Sequence, residues 1–226
     1  MRYENIQEAV FLDRPNRFIA NILIDGEPVV CHVKNTGRCR ELLVPGAKLL
    51  VQKNASPKRR TAYDLISVWK GERLINMDAA APNTVFREWL QGGGLGSVPE
   101  LLRPEMRRGD SRFDFYFERH GRACFAEVKG VTLEDRGVVR FPDAPTQRGV
   151  KHLRGLIQCV REGYGAYAAF IIQMQDVKYF EPNRATHPEF AEALMAAEEA
   201  GVTLLALDCT VGYDSIAVRS PVALRL

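Results

Sequence analysis

A chain of 226 residues, 46% hydrophobic and 26% charged, suits one large globular domain or two small ones. It holds no apolar run of bilayer length, and its polar start, MRYENIQEAVFLDRP, lacks a signal peptide's apolar stretch, so a cytoplasmic protein is expected and a membrane protein is not. Five scattered cysteines without a CxxC pair exclude a disulfide framework and a zinc ribbon, and the net charge of +3 is uneven, residues 1–80 carrying 13 Lys+Arg against 9 Asp+Glu and the remainder 18 against 19.

The amino-terminal part reads as short strands closed by tight turns. In RFIANILIDGEPVVCHVK the apolar residues Phe18, Ala20, Ile22 and Ile24 fall at every second position, the period of a strand with one buried face. Asp25-Gly26 is a two-residue hairpin signal that sets Ile22 opposite Val29, Ala20 opposite Cys31 and Phe18 opposite Val33, so the apolar faces coincide. A helical turn is expected at Arg40–Val44. Further strands are expected at Lys48–Lys53, Ala62–Trp69 and Glu72–Asp78. Five strands in about eighty residues predict a small closed OB-like barrel, residues 1–80. Arg38 and Arg40 after Asn35-Thr36-Gly37, and Lys58, Arg59 and Arg60 in the loop Ser56–Arg60, are candidate phosphate contacts. A solvated loop is the plain alternative.

Past Asp78 the pattern changes to an α/β layout with a mixed sheet over residues 81–226. Pro82-Asn83-Thr84 starts a helix with Thr84 as its expected cap, and Gly92-Gly93-Gly94 stops it. A hairpin, a short strand at Gly137–Phe141, a long helix at Thr146–Glu162 and an apolar strand at Tyr167–Gln173 follow. A helix at Pro188–Ala200 and a strand at Val202–Asp208 close the layout.

The hairpin SRFDFYFERHGRACFAEVKG carries the chemistry. With His120-Gly121 as the turn, Phe117 faces Cys124, Phe115 faces Ala126 and Phe113 faces Val128 on an apolar side. The other side sets Tyr116 against Phe125, Asp114 against Glu127 and Arg112 against Lys129. Two carboxylates so placed repel, so one takes up a proton or a cation sits between them. Hard oxygen ligands with room for water and phosphate suit Mg²⁺ or Mn²⁺. Lys129 projects from the same side and is placed to orient a water or to neutralise a phosphate. Asp…Glu-x-Lys is the minimal apparatus for metal-assisted phosphodiester hydrolysis; a solvated face with Arg112 and Lys129 neutralising the acids is the alternative. Glu88, on the preceding helix, is a candidate third ligand, or else an exposed helical glutamate. On the long helix Val150, Leu153, Ile157 and Val160 form the expected buried stripe. Arg148 and Lys151, near that helix's start, are candidate phosphate contacts, or else part of its wet face. His152, next to Lys151, is expected to serve packing or capping, with contact to the site as the lesser alternative. No P-loop, dinucleotide or serine-hydrolase motif occurs.

Taken together, Asn35-Thr36-Gly37-Arg38-Cys39, Ser56–Thr61, Arg112-Phe113-Asp114-Phe115, Glu127-Val128-Lys129 and FPDAPTQRGVKHL (Phe141–Leu153) resemble the sugar fermentation stimulation protein A (SfsA) family of bacteria and archaea, over essentially the full chain. The resemblance implies an amino-terminal OB-like domain and a carboxy-terminal domain of the PD-(D/E)xK nuclease type. In that pattern Asp114 takes the place of the motif's Asp, Glu127 and Lys129 its (D/E)xK, and Glu88 the helical acid. It also implies DNA as the partner. Two readings stay open: a metal-dependent nuclease, and a non-catalytic DNA-binding regulator of sugar (maltose) metabolism. A sugar-metabolism enzyme acting on a small phosphorylated molecule is a remoter third.

Overall fold

A computed structural model describes residues 1–35, 37–54 and 60–226. Its first strand, β1 (Ile6–Asn16), is one that the sequence pattern conceals. Register shifts between Phe11 and Asp13, and between Asp13 and Asn16, break the period that would have marked it. β2 (Ile19–Ile24) and β3 (Glu27–Val33) form the expected hairpin, with Ile22 opposite Val29 and Ala20 opposite Cys31. Asp25 and Gly26 both take positive φ, 53° and 85°, the hand of turn that a twisted hairpin accepts. β4 (Lys48–Lys53) follows a turn in which Leu43 N–H bonds Cys39 O, and β5 (Tyr63–Lys70) and β6 (Arg73–Asn76) form the next hairpin.

β1 pairs with β2 and β4, β4 with β5, and β5 runs parallel to β3, closing a five-stranded OB-like barrel. The expected count of five is right but its membership changes: β1 is in, and β6 is an arm beyond the barrel. Phe11, Ile22, Val33, Leu49, Val51 and Leu65 fill the interior. Each contributes on the order of 1.5–3 kcal/mol by leaving water.

The second part begins with α1 (Ala81–Gln91). Thr84 lies inside this helix rather than capping it; the entering chain is held by Asp78, whose Oδ1 accepts Ala80 N–H at 2.9 Å. β7 (Leu101–Arg108), β8 (Ser111–Arg119) and β9 (Arg122–Val131) come next. β10 (Leu133–Asp135) and β11 (Val138–Phe141) lead into α2 (Gln147–Arg161), whose cap is Thr146, accepting Gly149 N–H at 3.1 Å. β12 (Gly165–Ile172), β13 (Tyr179–Pro182), α3 (Pro188–Glu199), β14 (Thr203–Val211) and β15 (Ile216–Pro221) complete the chain.

The main sheet has the order β15-β14-β12-β9-β8-β7, with β9, β12 and β14 parallel and the outer pairs antiparallel. β12 reads GAYAAFII because a central parallel strand is covered on both faces. The face carrying Phe115, Phe117 and Ala126 packs on Val85, Phe86 and Leu90 of α1. The opposite face, with Phe125 and Phe170, packs on α2 and α3 and is continuous with the barrel core. β11 joins not this sheet but a small one ordered β10-β11-β13. Among the described residues no helix is long and apolar enough to cross a membrane.

Two buried junctions fix the barrel against this layer. Gln173, just past β12, donates to Asn76 Oδ1 at 2.9 Å and to Asp78 O at 3.1 Å, while Asn76 N–H returns to Gln173 O at 2.9 Å. Glu134 of β10 takes Lys70 at 2.8 Å and Arg73 at 2.6 Å from the β5–β6 hairpin. Gly130 shows how tightly the first junction closes: a Cβ there would meet Gln173 Oε1 at 2.5 Å and Pro82 Cγ at 2.8 Å. That approach seats the start of α1 beside the end of β9.

Candidate active site

The β8–β9 hairpin turns at His120-Gly121, both at positive φ, in the expected register from Arg119–Arg122 to Phe115–Ala126. There the ladder stops. Asp114 and Glu127 are therefore not a ladder pair as the register extended from the turn predicts. β9 continues beside its parallel partner β12, and the Asp114 carboxylate enters the fork, its Oδ2 accepting Val128 N–H at 2.8 Å. Its Oδ1 accepts from Asn83 Nδ2 of α1 at 3.1 Å. The fork also divides the expected apolar face. Phe113 packs toward α2, 5.5 Å from the Phe125 ring, whereas Val128 stays on the α1 side.

Glu127 lies on the α2 face, 4% exposed. Its Oε1 is shared by the Lys129 ammonium and the Nδ1 of His152, a buried residue of α2. Its Oε2 is buried and has no partner among the described residues. Burial pushes the Glu127 carboxyl up, but His152 and Lys129 outweigh it and hold the group below the usual carboxylate range. Asp114 goes the other way: burial, then the charge of Glu127, raise it above that range against the pull of Val128 N–H, Lys129 and Asn83. The pair thus has one firmly ionised member and one whose ionisation is opposed, an environment that a cation would relieve.

His152, for which contact with the site was the lesser expectation beside packing or capping, is the α2 side chain that meets Glu127. Arg148 Nε lies 3.4 Å from His152 Nε2. An arginine N–H can only donate, so Nε2 accepts and the ring proton sits on Nδ1, toward Glu127. Arg148, proposed from sequence as a phosphate contact, is here the residue behind the histidine. The readable signal was the spacing of four between Arg148 and His152, which places both on one helical face. Lys151 faces away from the carboxylates, into a cleft of about 450 Å³ with Arg108, Ser111 and Glu162. The Glu88 carboxylate accepts from the Met1 amine at 2.6 Å; the structure does not bring it to Asp114, and Asn83 is the α1 residue found there.

On the barrel, Arg38, Arg40 and Arg60 are exposed, while Lys58 and Arg59 lie outside the described residues. The turn bearing Arg38 is organised by Arg14, absent from the sequence reading. Its guanidinium donates to Gly37 O and Arg38 O, both at 2.9 Å, and to Arg17 O and Asn35 O, both at 2.7 Å. Arg38 N–H in turn bonds Asp143 Oδ2 at 3.1 Å, tying the basic turn to the FPDAPTQRG segment.

Among the described residues no group of three or more His, Cys, Asp or Glu stands together as a finished metal cage. Two carboxylates and an unpartnered, buried Oε2 nonetheless suit a hard divalent cation that brings its own waters. A family described as "Sugar fermentation stimulation protein RE domain" matches residues 80–215, and "SfsA N-terminal OB domain" matches residues 12–77. Sugar fermentation stimulation protein homologs are similar throughout. That of Desulfitobacterium hafniense is 56% identical over 226 residues, covering 100% of this chain and 99% of its own. That of Clostridium beijerinckii is 55% identical over 219 residues, 97% of each chain. The solved structure of Pyrococcus furiosus SfsA in complex with Ca²⁺ superposes with a TM-score of 0.90 at 27% identity, covering 100% of this chain and 98% of that one. With two family domains matched in order and relatives this similar along the whole chain, the protein belongs to the sugar fermentation stimulation protein (SfsA) family.

Proposed function

We propose that this protein binds nucleic acid, DNA foremost, and hydrolyses its phosphodiester bonds at Asp114, Glu127 and Lys129 with a divalent metal, Mg²⁺ or Mn²⁺. The observation that carries the reading is the buried Oε2 of Glu127, left without a partner among the described residues while Oε1 is doubly held. An unmet buried carboxylate oxygen costs free energy unless a ligand completes it. The Ca²⁺ complex of the Pyrococcus furiosus relative supports a divalent ion as that ligand. Glu127 Oε2 and the Asp114 carboxylate would hold it, and when bound it supplies charge stabilisation and a more acidic water.

The chain's own groups do the positioning. His152 and Lys129 fix the Glu127 carboxylate, and Asn83 and Val128 N–H fix Asp114. The Lys129 ammonium, held on Glu127 Oε1, would supply positive charge toward a phosphate in transfer. Arg38, Arg40 and Arg60, with Lys58 and Arg59, would track the strand's backbone from the barrel. The five cysteines are free and buried, as suits a reducing cytoplasm. A second reading, a DNA-binding regulator of sugar (maltose) metabolism without cleavage, is favoured by the fact that among the described residues only two acids meet here, Glu88 being held by Met1.

The test is cleavage of labelled single- and double-stranded DNA and RNA with Mg²⁺, Mn²⁺ or chelator, wild type against Glu127→Ala. Loss in both the variant and the chelator supports hydrolysis. Salt-dependent binding with no metal-dependent cut favours the regulator.

A further inference from the structure

The two carboxylates differ in how they can be reached. Glu127 is sealed on the α2 side by His152 and Lys129 and is 4% exposed. Arg148, also on α2, is engaged behind His152. Asp114, only partly buried, forms part of the wall of an open cleft of about 340 Å³ on the opposite, α1 side. Asn83, Thr84 and Arg87 of α1 make one wall, and Pro104 and Phe115 give it an apolar surface. Arg87 is exposed, and no carboxylate among the described residues pairs with it. Across the mouth Glu105, at a positive φ of 54°, turns its carboxylate to Arg112 at 3.2 Å, so the anion at the rim is already matched.

Resting on the reading of the site given above, we infer that this cleft is the substrate's entrance and takes one nucleotide of an unpaired strand. The phosphate is gripped by Arg87 next to Asp114, and the sugar or base lies against Pro104. Each part matches a part of the ligand: an exposed guanidinium for a phosphate, the second amide N–H of Asn83 as a neutral donor beside the one it gives Asp114, and an apolar surface for the nucleoside. Size selects the form. Ligand clefts run from roughly 300 to 1,000 Å³, and this one is at the small end, a size that matches one nucleotide unit. Duplex DNA would have to open, or offer an end, before its phosphate reached Asp114. The substrate class is therefore single-stranded or end-frayed nucleic acid.

The experiment is photo-crosslinking of a short single-stranded oligothymidylate carrying 4-thiothymidine, in Ca²⁺, with adduct sites mapped by mass spectrometry. Adducts should fall on the peptides bearing Asn83–Arg87 or Pro104, and a blunt duplex of the same sequence should give few. Arg87→Ala should lower the yield and the strand's affinity about tenfold, the worth of one charge-assisted contact. Arg87→Lys should recover part of this. Arg161→Ala, which removes an exposed guanidinium at the far end of α2, should change neither. Adducts confined to the Lys151–Glu162 side, an unchanged Arg87→Ala, or equal labelling by duplex would each overturn the inference. Crosslinking at the cleft by a protein that leaves the strand uncut under every metal would sink hydrolysis and leave the cleft standing.

Discussion

Replacing His152 with phenylalanine keeps a ring against Phe113, which it meets at 6.5 Å, but removes the donor to Glu127. Glu127 is 4% exposed, so water cannot take over the lost bond, and Lys129 alone remains on Oε1. A hydrogen bond to a charged acceptor is worth about 1.5–3 kcal/mol when its loss leaves that acceptor buried. For a domain pair of this size each kcal/mol moves Tm by about 2–4 °C, so the apo protein should melt roughly 3–12 °C lower. Metal affinity should fall too, by about 10- to 100-fold, because the carboxylate presenting Oε2 is no longer oriented. His152→Gln, whose amide N–H can reach the same oxygen, should restore part of both. Melting curves in chelator and titrations with Mn²⁺ read the two effects separately. Nitrogen-15 NMR of the imidazole adds a signature that packing alone would not produce, a proton on Nδ1 that becomes mobile between nitrogens in Arg148→Ala. If the phenylalanine variant melts and binds metal like wild type, or glutamine does no better than phenylalanine, then His152 does not position Glu127.

Asp114 holds its proton more tightly folded than unfolded, so its contribution to stability is lost as pH rises through its raised folded pKa. Asp114→Asn should then be more stable than wild type at pH 7, on the order of 1 kcal/mol, with the advantage shrinking at low pH. Urea unfolding at both pH values decides it, and a variant weaker at pH 7 refutes it. Glu134 behaves oppositely: burial raises it, but Lys70, Gly137 N–H and Arg73 outweigh that and hold it low. Its stabilisation is present at neutral pH and lost as pH falls through and below the ordinary carboxylate range. Glu134→Gln should cost about 1.5–3 kcal/mol at pH 7 and much less at pH 3, and a pH-independent cost would contradict the assignment. Arg14→Ala frees three carbonyls of the basic turn and that of Arg17, so DNA affinity at low salt should drop about tenfold by fluorescence anisotropy. Unchanged affinity would remove that turn from the interface.

What could be read in the sequence was what is local. Asp25-Gly26 and His120-Gly121 announce their hairpins because two positive-φ residues stand between alternating apolar runs. The carboxylates came together because that register runs almost to them. What stayed hidden depends on non-local partners. β1 was masked by its register shifts, and β7, LLRPEMRR, by being a half-exposed edge strand with a proline and three arginines. β6 was legible as a strand, but its place outside the barrel follows from the β3–β5 closure, which no short window contains. Arg14 bonds only carbonyls, which every residue carries. His152 meets an acid 25 positions away, invisible to helical periodicity. Glu88 showed an acid on the right helix, but the contact with Asp114 is made by Asn83.

The central claim, that Glu127 and Asp114 hold a divalent cation, is tested most directly by calorimetric titration of the metal-free protein with Mn²⁺, wild type beside Glu127→Ala. The account predicts saturable binding by wild type and at least tenfold weaker binding by the variant, with the circular dichroism spectrum unchanged. Equal binding by the two proteins would place the metal elsewhere and contradict the account.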